Sequence, residues 1–186
     1  MSEVAQRLYE SGPVRVVREA LGNSAGSVWV VGGAVRDAIL GRPVTDVDLV
    51  TTDEPASVAR KVASAAGGPA FPLSEEFGAW RVIANAGFVC DVSPLQGDSI
   101  EDDLGKRDFS ANAMAMPLTS PGIFDPHGGG ADLEAGILRV LGEHSYRDDP
   151  LRPLRLVRIA TELTLEPDAA SARRRAARRA PPARRA

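Results

Sequence analysis

The 186-residue chain has very few of the residues that build disulfides or zinc sites. It contains one cysteine, Cys90, and two histidines, His127 and His144. An internal disulfide framework and a cysteine-built zinc site are therefore excluded, a histidine-rich metal site is disfavoured, and a reducing cytoplasm fits. No apolar run approaches the ~20 residues that a membrane helix needs. The first residues also lack the pattern of a secretory signal.

Negative charge dominates most of the chain, although the whole sequence has a formal net charge of only −3. Seven of the 22 basic residues and none of the 25 acidic residues follow position 172, so residues 1–172 carry a net charge of −10. An acidic body discourages nonspecific binding of nucleic acid. We therefore expect any nucleotide chemistry to rely on metal ions or on locally grouped arginines.

The segment 169–186 consists almost only of alanine, arginine and proline. It has no apolar stripe, so burial cannot offset the entropy that ordering costs, and we predict a disordered tail. A basic arm that contacts RNA is the alternative interpretation. A shifted reading frame in a GC-rich gene would produce the same composition.

Apolar periodicity and turn residues predict an α/β fold in which helices flank a small mixed sheet. The predicted helices are 3–10, 13–21, 34–40, 56–66 and about 150–163, with a short one at 110–114. The predicted strands are 27–31, 44–50, 70–73, 79–84 and 88–92, with an edge strand at 116–118. We expect a loop or short helix at 96–106 and a loop at 125–130.

Asp46 and Asp48 form the most informative local pattern. Side chains alternate along a strand, so these two carboxylates share one face, about 6.6 Å apart along the backbone. Like charges on one face repel each other, and a bound Mg²⁺ removes that penalty because hard cations prefer oxygen ligands. Most isolated pairs of this kind are solvated loop carboxylates, so a metal site needs support from the surrounding residues.

A predicted buried strand runs into a helix through Gly32 and Gly33. Glycine lets backbone N–H groups approach a ligand closely, and a helix N-terminus favours phosphate. Arg36, one turn into the helix, would add a bidentate phosphate contact. One alternative is a tight turn with Arg36 and Asp37 as surface charges. A dinucleotide-binding turn is disfavoured because no G-x-G-x-x-G motif occurs.

Asp91 is the candidate third carboxylate, on the predicted strand 88–92. Its apolar neighbours make a charge costly there unless a cation or hydrogen bonds meet it. Three carboxylates on adjacent strands beside a phosphate-binding turn would suit two-metal phosphoryl transfer. A purely structural acid is the alternative.

Four segments in this order resemble the motifs of one enzyme family. They are residues 30–37 with 46–48, residues 106–113, residues 125–129 with 132–133, and residues 148–152 with Arg155 and Arg158. The resemblance is to the head domain of class II tRNA nucleotidyltransferases (CCA-adding enzymes) and of bacterial poly(A) polymerases. Together the segments span about residues 28–160, so a chance match is very improbable.

The resemblance implies a polymerase-β-like nucleotidyltransferase head with Mg²⁺ on Asp46 and Asp48, and with Asp91 as the third catalytic carboxylate. Asp149 and Arg152 match the protein template that reads the Watson–Crick edge of CTP or ATP, because a carboxylate accepts from an amine and arginine donates two parallel hydrogen bonds. The residues implied to bind the nucleotide are Gly32, Gly33, Arg36, Arg107, Asp108, Asn112, Asp149, Arg152, Arg155 and Arg158.

The fourth motif is predicted to form a helix with Asp149 as the N-cap and Pro150 as the first helical residue. A spacing of three then places Asp149, Arg152, Arg155 and Arg158 along one side of that helix. A solvated charged face is the alternative interpretation of this stripe.

The same helix is expected to pack on the domain through its apolar residues. Leu151, Leu154 and Val157 lie toward another side than the arginines, where they would contact the core. Pro153 is the unexpected residue: in the first turns it removes a backbone donor, and we expect its ring to clash with the carbonyl of Asp149.

The expected organisation is N-terminal helices at 1–26, the head domain at 27–147, the first helix of a neck domain at 148–168, and the tail at 169–186. The resemblance implies a cytoplasmic enzyme that transfers CMP or AMP from CTP or ATP to the 3′ end of tRNA. One alternative is a poly(A) polymerase. Because the family's helical neck, body and tail domains are missing, the other alternative is a truncated nucleotide- or RNA-binding fragment that is inactive without a partner chain.

Overall fold

A six-stranded mixed sheet forms the centre of the fold in the computed structural model, which describes residues 1–142, 145–169 and 171. The strands are β1 Val28–Val31, β2 Asp46–Thr51, β3 Ala70–Ser74, β4 Ala79–Ile83, β5 Val89–Pro94 and β6 Ala115–Pro117. Their order across the sheet is β3-β4-β5-β2-β1-β6. β2 and β5 run parallel, and the other neighbours run antiparallel.

Helices surround this sheet. They are α1 Ser2–Tyr9, α2 Gly12–Leu21, α3 Gly33–Ile39, α4 Pro55–Ala66, α5 Ile100–Gly105, α6 Gly129–Glu134, α7 Ser145–Asp148 and α8 Arg152–Leu163. Short 3₁₀ helices lie at Gly22–Ser27 and Ser110–Asn112, and β7 Ile137–Leu138 pairs in parallel with β8 Glu166–Pro167. No helix in the described part of the chain is both long and apolar enough to cross a membrane.

The two faces of β2 have different surroundings. Val47 and Leu49 point into the main core, where α2 and α4 pack against the sheet. On the opposite face Val50 is covered by Leu104 of α5, whereas Asp48 lies beyond this cover and stays exposed. Side-chain alternation therefore divides the strand into a buried apolar face and a face that changes from apolar to acidic along its length.

The mixed α/β class and the sheet flanked by helices are confirmed, and the element boundaries agree with the prediction to within about two residues in most places. The prediction of a loop at 125–130 is wrong for its last two residues, because α6 begins at Gly129. The Asp125 carboxylate accepts hydrogen bonds from the backbone N–H of Gly129 at 2.7 Å and of Gly130 at 2.9 Å. These bonds satisfy N–H groups that a helix start otherwise leaves unpaired.

The predicted start of the last helix is also wrong. α8 begins at Arg152, its N-cap is Leu151, and Asp149 lies in the preceding turn, where its carboxylate accepts a hydrogen bond from the N–H of Leu151 at 2.8 Å. Pro153 occupies the first turn, where no intrahelical donor is needed, so a proline is tolerated there. The expected clash does not occur: the Asp149 carbonyl accepts a hydrogen bond from the N–H of Arg152.

The expected packing side of α8 is a third correction. Leu151, Leu154 and Val157 are 62%, 69% and 38% exposed, whereas Leu156 and Ile159 are buried. Hydrogen bonds from the arginines of α8 hold the other side of the helix against the domain, so these three residues turn outward. The predicted tail at 169–186 lies outside the described residues except for 169 and 171, and His144 lies outside them as well.

Candidate active site

An open cavity of about 580 Å³ lies between the acidic end of β2, the start of α3 and the side of α8. It collects twelve of the thirteen site residues predicted from the sequence. These twelve are Gly32, Gly33, Arg36, Asp46, Asp48, Arg107, Asp108, Asn112, Asp149, Arg152, Arg155 and Arg158. Asp91 is not part of the lining, although its strand neighbour Asp48 is.

The carboxylates of β2 face the cavity from the sheet. Asp46 and Asp48 are both exposed, and Asp91 on β5 pairs in register with Asp48, which puts all three on one face. The Asp48 side chain opens into the cavity, but the surrounding protein keeps part of the water away from its carboxylate. This partial loss of water raises its pKa, Asp91 and Asp46 raise it further, and Arg107 and Arg36 act in the opposite direction.

Asp91 is held by an arginine that the sequence analysis did not single out. Arg81 on β4 lies opposite Asp91, and its Nε and Nη2 donate to the two carboxylate oxygens, each at 2.7 Å. Within the described residues, no three acidic, histidine or cysteine side chains form a group that could hold a metal ion. The sheet therefore presents two carboxylates that open into the cavity and a third that is bound by arginine; of the first two, Asp46 accepts a hydrogen bond from Oγ1 of Thr45 at 3.2 Å.

The turn between β1 and α3 brings its backbone close to these groups. Gly32 has a φ of +67°, and a Cβ there would lie 3.0 Å from Nη1 of Arg107 and 3.6 Å from Oδ2 of Asp48. Both the backbone conformation and the close approach therefore require glycine at this position. The predicted phosphate-binding turn thus lies directly beside the predicted metal ligands.

A buried acid that the sequence analysis missed orients Arg107. Asp103 is 5% exposed, and its Oδ2 accepts from Nη2 of Arg107 at 2.9 Å and from Nε at 3.2 Å. Its other oxygen accepts from the backbone N–H of Gln96. The spacing of four residues on a short helical segment was the signal that would have linked Asp103 to Arg107.

Asp108 and Asn112 join two further arginines into one network. Oδ2 of Asp108 accepts from Nε of Arg155 at 2.8 Å, and its Oδ1 accepts from Nδ2 of Asn112 at 2.9 Å. Oδ1 of Asn112 in turn accepts from Nη1 of Arg36 at 2.7 Å. One oxygen of each of these two residues therefore binds an arginine, and the pair holds Arg155 and Arg36 in place.

The predicted template pair lies at the start of α8. Nη2 of Arg152 donates to the carbonyl of Lys106 at 2.7 Å, and Nη1 donates to Oγ of Ser145 at 2.8 Å. Nε of Arg152 lies 3.9 Å from a carboxylate oxygen of Asp149. Arg152 thus connects α8 by a hydrogen bond to the segment that carries Arg107. Its role in reading a base remains a prediction.

Comparison with known proteins assigns the chain to a family. Residues 28–96 and 85–139 match the model described as the poly A polymerase head domain, and the chain belongs to this family. The resemblance inferred from the four motifs is thereby confirmed.

Curated relatives extend the comparison to whole enzymes. The chain is 41% identical over 163 residues to a CC-adding tRNA nucleotidyltransferase of Geobacter sulfurreducens, covering 87% of this chain and 38% of that protein. It is 45% identical over 150 residues to an A-adding tRNA nucleotidyltransferase of Deinococcus radiodurans, covering 80% and 34%. The chain therefore spans little more than a third of the length of these relatives.

Solved structures agree with the same fold. A complex of a CCA-adding enzyme with CTP superposes with a TM-score of 0.82 at 27% identity, covering 94% of this chain and 44% of that one. A tRNA nucleotidyltransferase with a primer tRNA and an incoming ATP analog gives 0.74 at 29% identity, covering 86% and 48%. The sheet and its flanking helices thus match those of solved CCA-adding enzymes.

Proposed function

We propose that this chain is the catalytic head of a nucleotidyltransferase that adds CMP or AMP from CTP or ATP to the 3′ end of tRNA, with release of pyrophosphate. The observation that carries the proposal is the cavity in which the two carboxylates of β2, a glycine turn and five arginines meet. The relatives that add CC or A to tRNA support this choice over a poly(A) polymerase. A cytoplasmic location belongs to the same proposal, because tRNA and nucleoside triphosphates occur there.

Asp46 and Asp48 would hold Mg²⁺. Their carboxylate oxygens are the ligand type that this ion prefers, and both side chains open into the cavity. The raised pKa of Asp48 supports the fit, because a nearby cation would relieve the partial desolvation and the repulsion from Asp91 and Asp46. When bound, Mg²⁺ supplies charge neutralisation for a triphosphate and a lower pKa for an attacking hydroxyl.

The arginines would bind and orient the triphosphate and the base. Arg36 and Arg107 lie beside the glycine turn, where guanidinium groups can donate paired hydrogen bonds to phosphate oxygens. Asp149 and Arg152 would meet the Watson–Crick edge, which carries an exocyclic amine in cytosine and adenine and a carbonyl in uracil and guanine. For Arg152 to do so, its guanidinium must leave the Lys106 carbonyl.

A primer-extension assay on the purified 186-residue chain tests the proposal. tRNA transcripts that end before the first C, before the second C and before the A are each incubated with Mg²⁺ and one labelled nucleotide. Addition of one or two residues that stops at CCA supports the proposal and tells which bases are added. Long runs of A would instead indicate a poly(A) polymerase.

Binding measurements distinguish an active head from the remaining alternative, a nucleotide-binding fragment that is inactive without a partner chain. The chain spans little more than a third of its relatives, so a head that binds CTP or ATP in the presence of Mg²⁺ without turnover would be a fragment that needs a partner chain. Asp48→Asn is the control, because it should remove the dependence of nucleotide binding on Mg²⁺. The absence of both incorporation and nucleotide binding would contradict the proposal.

A further inference from the structure

The ion pair between Arg81 and Asp91 lies at the edge of the candidate active site and takes part in none of the proposed contacts with Mg²⁺ or nucleotide. The antiparallel pairing of β4 and β5 puts Arg81 directly opposite Asp91 on the carboxylate face of the sheet. Both carboxylate oxygens accept from the same guanidinium at 2.7 Å, which is the strong bidentate arrangement of these two groups. Asp91 is therefore engaged at both oxygens.

Arg81 also interacts electrostatically with the two other carboxylates. Its hydrogen bonds with Asp91 raise the pKa of the guanidinium, and the charges of Asp46 and Asp48 act in the same direction. Asp46 and Asp48 line the cavity, whereas Asp91 does not. The arginine thus compensates negative charge at the place where a divalent ion would otherwise compensate it.

We propose that Arg81 is a resident counter-ion that keeps Asp91 from acting as a metal ligand, so that the protein without nucleotide offers a divalent ion only Asp46 and Asp48. Asp91 becomes available when the bidentate contact with Arg81 opens. This inference rests on the proposed function, specifically on Mg²⁺ at the two carboxylates of β2. It makes Arg81 a positioning residue that sets how tightly the head binds metal before substrate arrives.

Two physical effects make the same prediction for the removal of Arg81. A positive charge a few ångströms from a divalent ion lowers its affinity by roughly tenfold in a watery environment, and that repulsion would disappear. The freed carboxylate of Asp91 would also add an oxygen ligand. Arg81→Gln should therefore bind a divalent ion at least about tenfold more tightly than the wild type.

Mn²⁺ binding in the absence of nucleotide, followed by the paramagnetic resonance of the free ion, tests this directly. Arg60→Gln is the matched control, because Arg60 lies over the ring of Trp80, one residue from Arg81 but on the helix-covered face of β4. It removes the same charge from α4, on the opposite side of β4 from the carboxylates. We expect Arg60→Gln to bind Mn²⁺ within about twofold of the wild type.

The double variant Arg81→Gln with Asp91→Asn gives the sharper test, because it leaves the net charge of the pair unchanged. If Asp91 is not a ligand in the wild type, the double variant should bind Mn²⁺ within about threefold of the wild type. Binding at least tenfold weaker would mean that Asp91 already holds the ion, and would overturn the proposal. Should Arg81→Gln fail to fold, as judged by circular dichroism, the double variant decides by itself.

Asp48→Asn distinguishes a failure of this inference from a failure of the proposed function. If Asp48→Asn abolishes Mn²⁺ binding while Arg81→Gln leaves it unchanged, the metal site stands and the counter-ion role is refuted. If the wild type binds no Mn²⁺ even with CTP present, the metal site itself is refuted and both proposals fall. Tighter binding by Arg81→Gln alone, with both controls behaving as expected, supports the counter-ion role.

Discussion

On the sheet side of the cavity, Asp46 and Asp48 are exposed and the pKa of Asp48 is raised, whereas each buried acid in the described part of the chain forms an ion pair with an arginine. The matched pairs are Asp103 with Arg107, Asp108 with Arg155, and Asp132 with Arg139. Buried carboxylates are stable only when charge or hydrogen bonds compensate them. The fold therefore gives each buried acid an arginine in direct contact, whereas Asp46 and Asp48, which would bind a cation, form no ion pair within the described residues.

The largest expected effect is on the carboxylates that form no ion pair. Asp48→Asn should reduce nucleotide transfer by on the order of 10³-fold, because one of two proposed Mg²⁺ ligands is lost. The fold should remain intact, since the asparagine removes a charge that the site disfavours. Primer extension and thermal melting measure both quantities. Asp98→Asn, at an exposed acid outside the cavity, should retain transfer; equal losses in the two variants would contradict the assignment.

Removal of the arginine from one of the buried ion pairs should instead lower stability. Arg155→Met leaves the buried carboxylate of Asp108 without its arginine, although Asn112 still donates to it. An unsatisfied buried group costs about 1–3 kcal/mol, so the free energy of unfolding should fall by that order. Urea denaturation measures it. Arg158→Met, one turn further along α8, is the control and should unfold close to the wild type.

A glycine comparison separates local strain from damage to the site. Gly32 and Gly41 have φ of +67° and +70°, but a Cβ meets Arg107 at the first position and nothing within 4 Å at the second. Each alanine variant should lose about 1–2 kcal/mol of stability from backbone strain. Only Gly32→Ala should also weaken CTP binding, because it displaces Arg107. Equal CTP affinities in the two variants, measured calorimetrically, would contradict this role of the turn.

The smallest expected effect is a difference in pH dependence without metal. The raised pKa of Asp48 means that its contribution to stability is present at low pH and is lost as pH rises through that pKa. Arg139 lowers the pKa of Asp132, so the Asp132 contribution is lost as pH falls through its lowered pKa. The free energy of unfolding is measured by urea denaturation in a chelator from about pH 3 to about pH 7. Asp48→Asn should remove the loss of stability that accompanies rising pH, and Asp132→Asn should remove the loss that accompanies falling pH.

The predictions that held came from local patterns. The alternation of Asp46 and Asp48 with apolar residues predicted the acidic face of β2, and the paired glycines predicted the turn into α3. The prediction that failed most clearly concerned which side of a helix packs against the rest of the domain. Leu154 was expected in the core and is exposed, because contacts of Arg152 and Arg155 with residues about 45 positions away orient α8.

The sequence by itself determined the carboxylate pair, the glycine turn and the family, because each depends on residues that are neighbours in the chain and on periods of two or about four. Only the tertiary structure decided that Arg81 would face Asp91 and that the arginines of α8 would close one side of the cavity. Strand register and helix orientation arise from many long-range contacts acting together. No single segment of the chain specifies them.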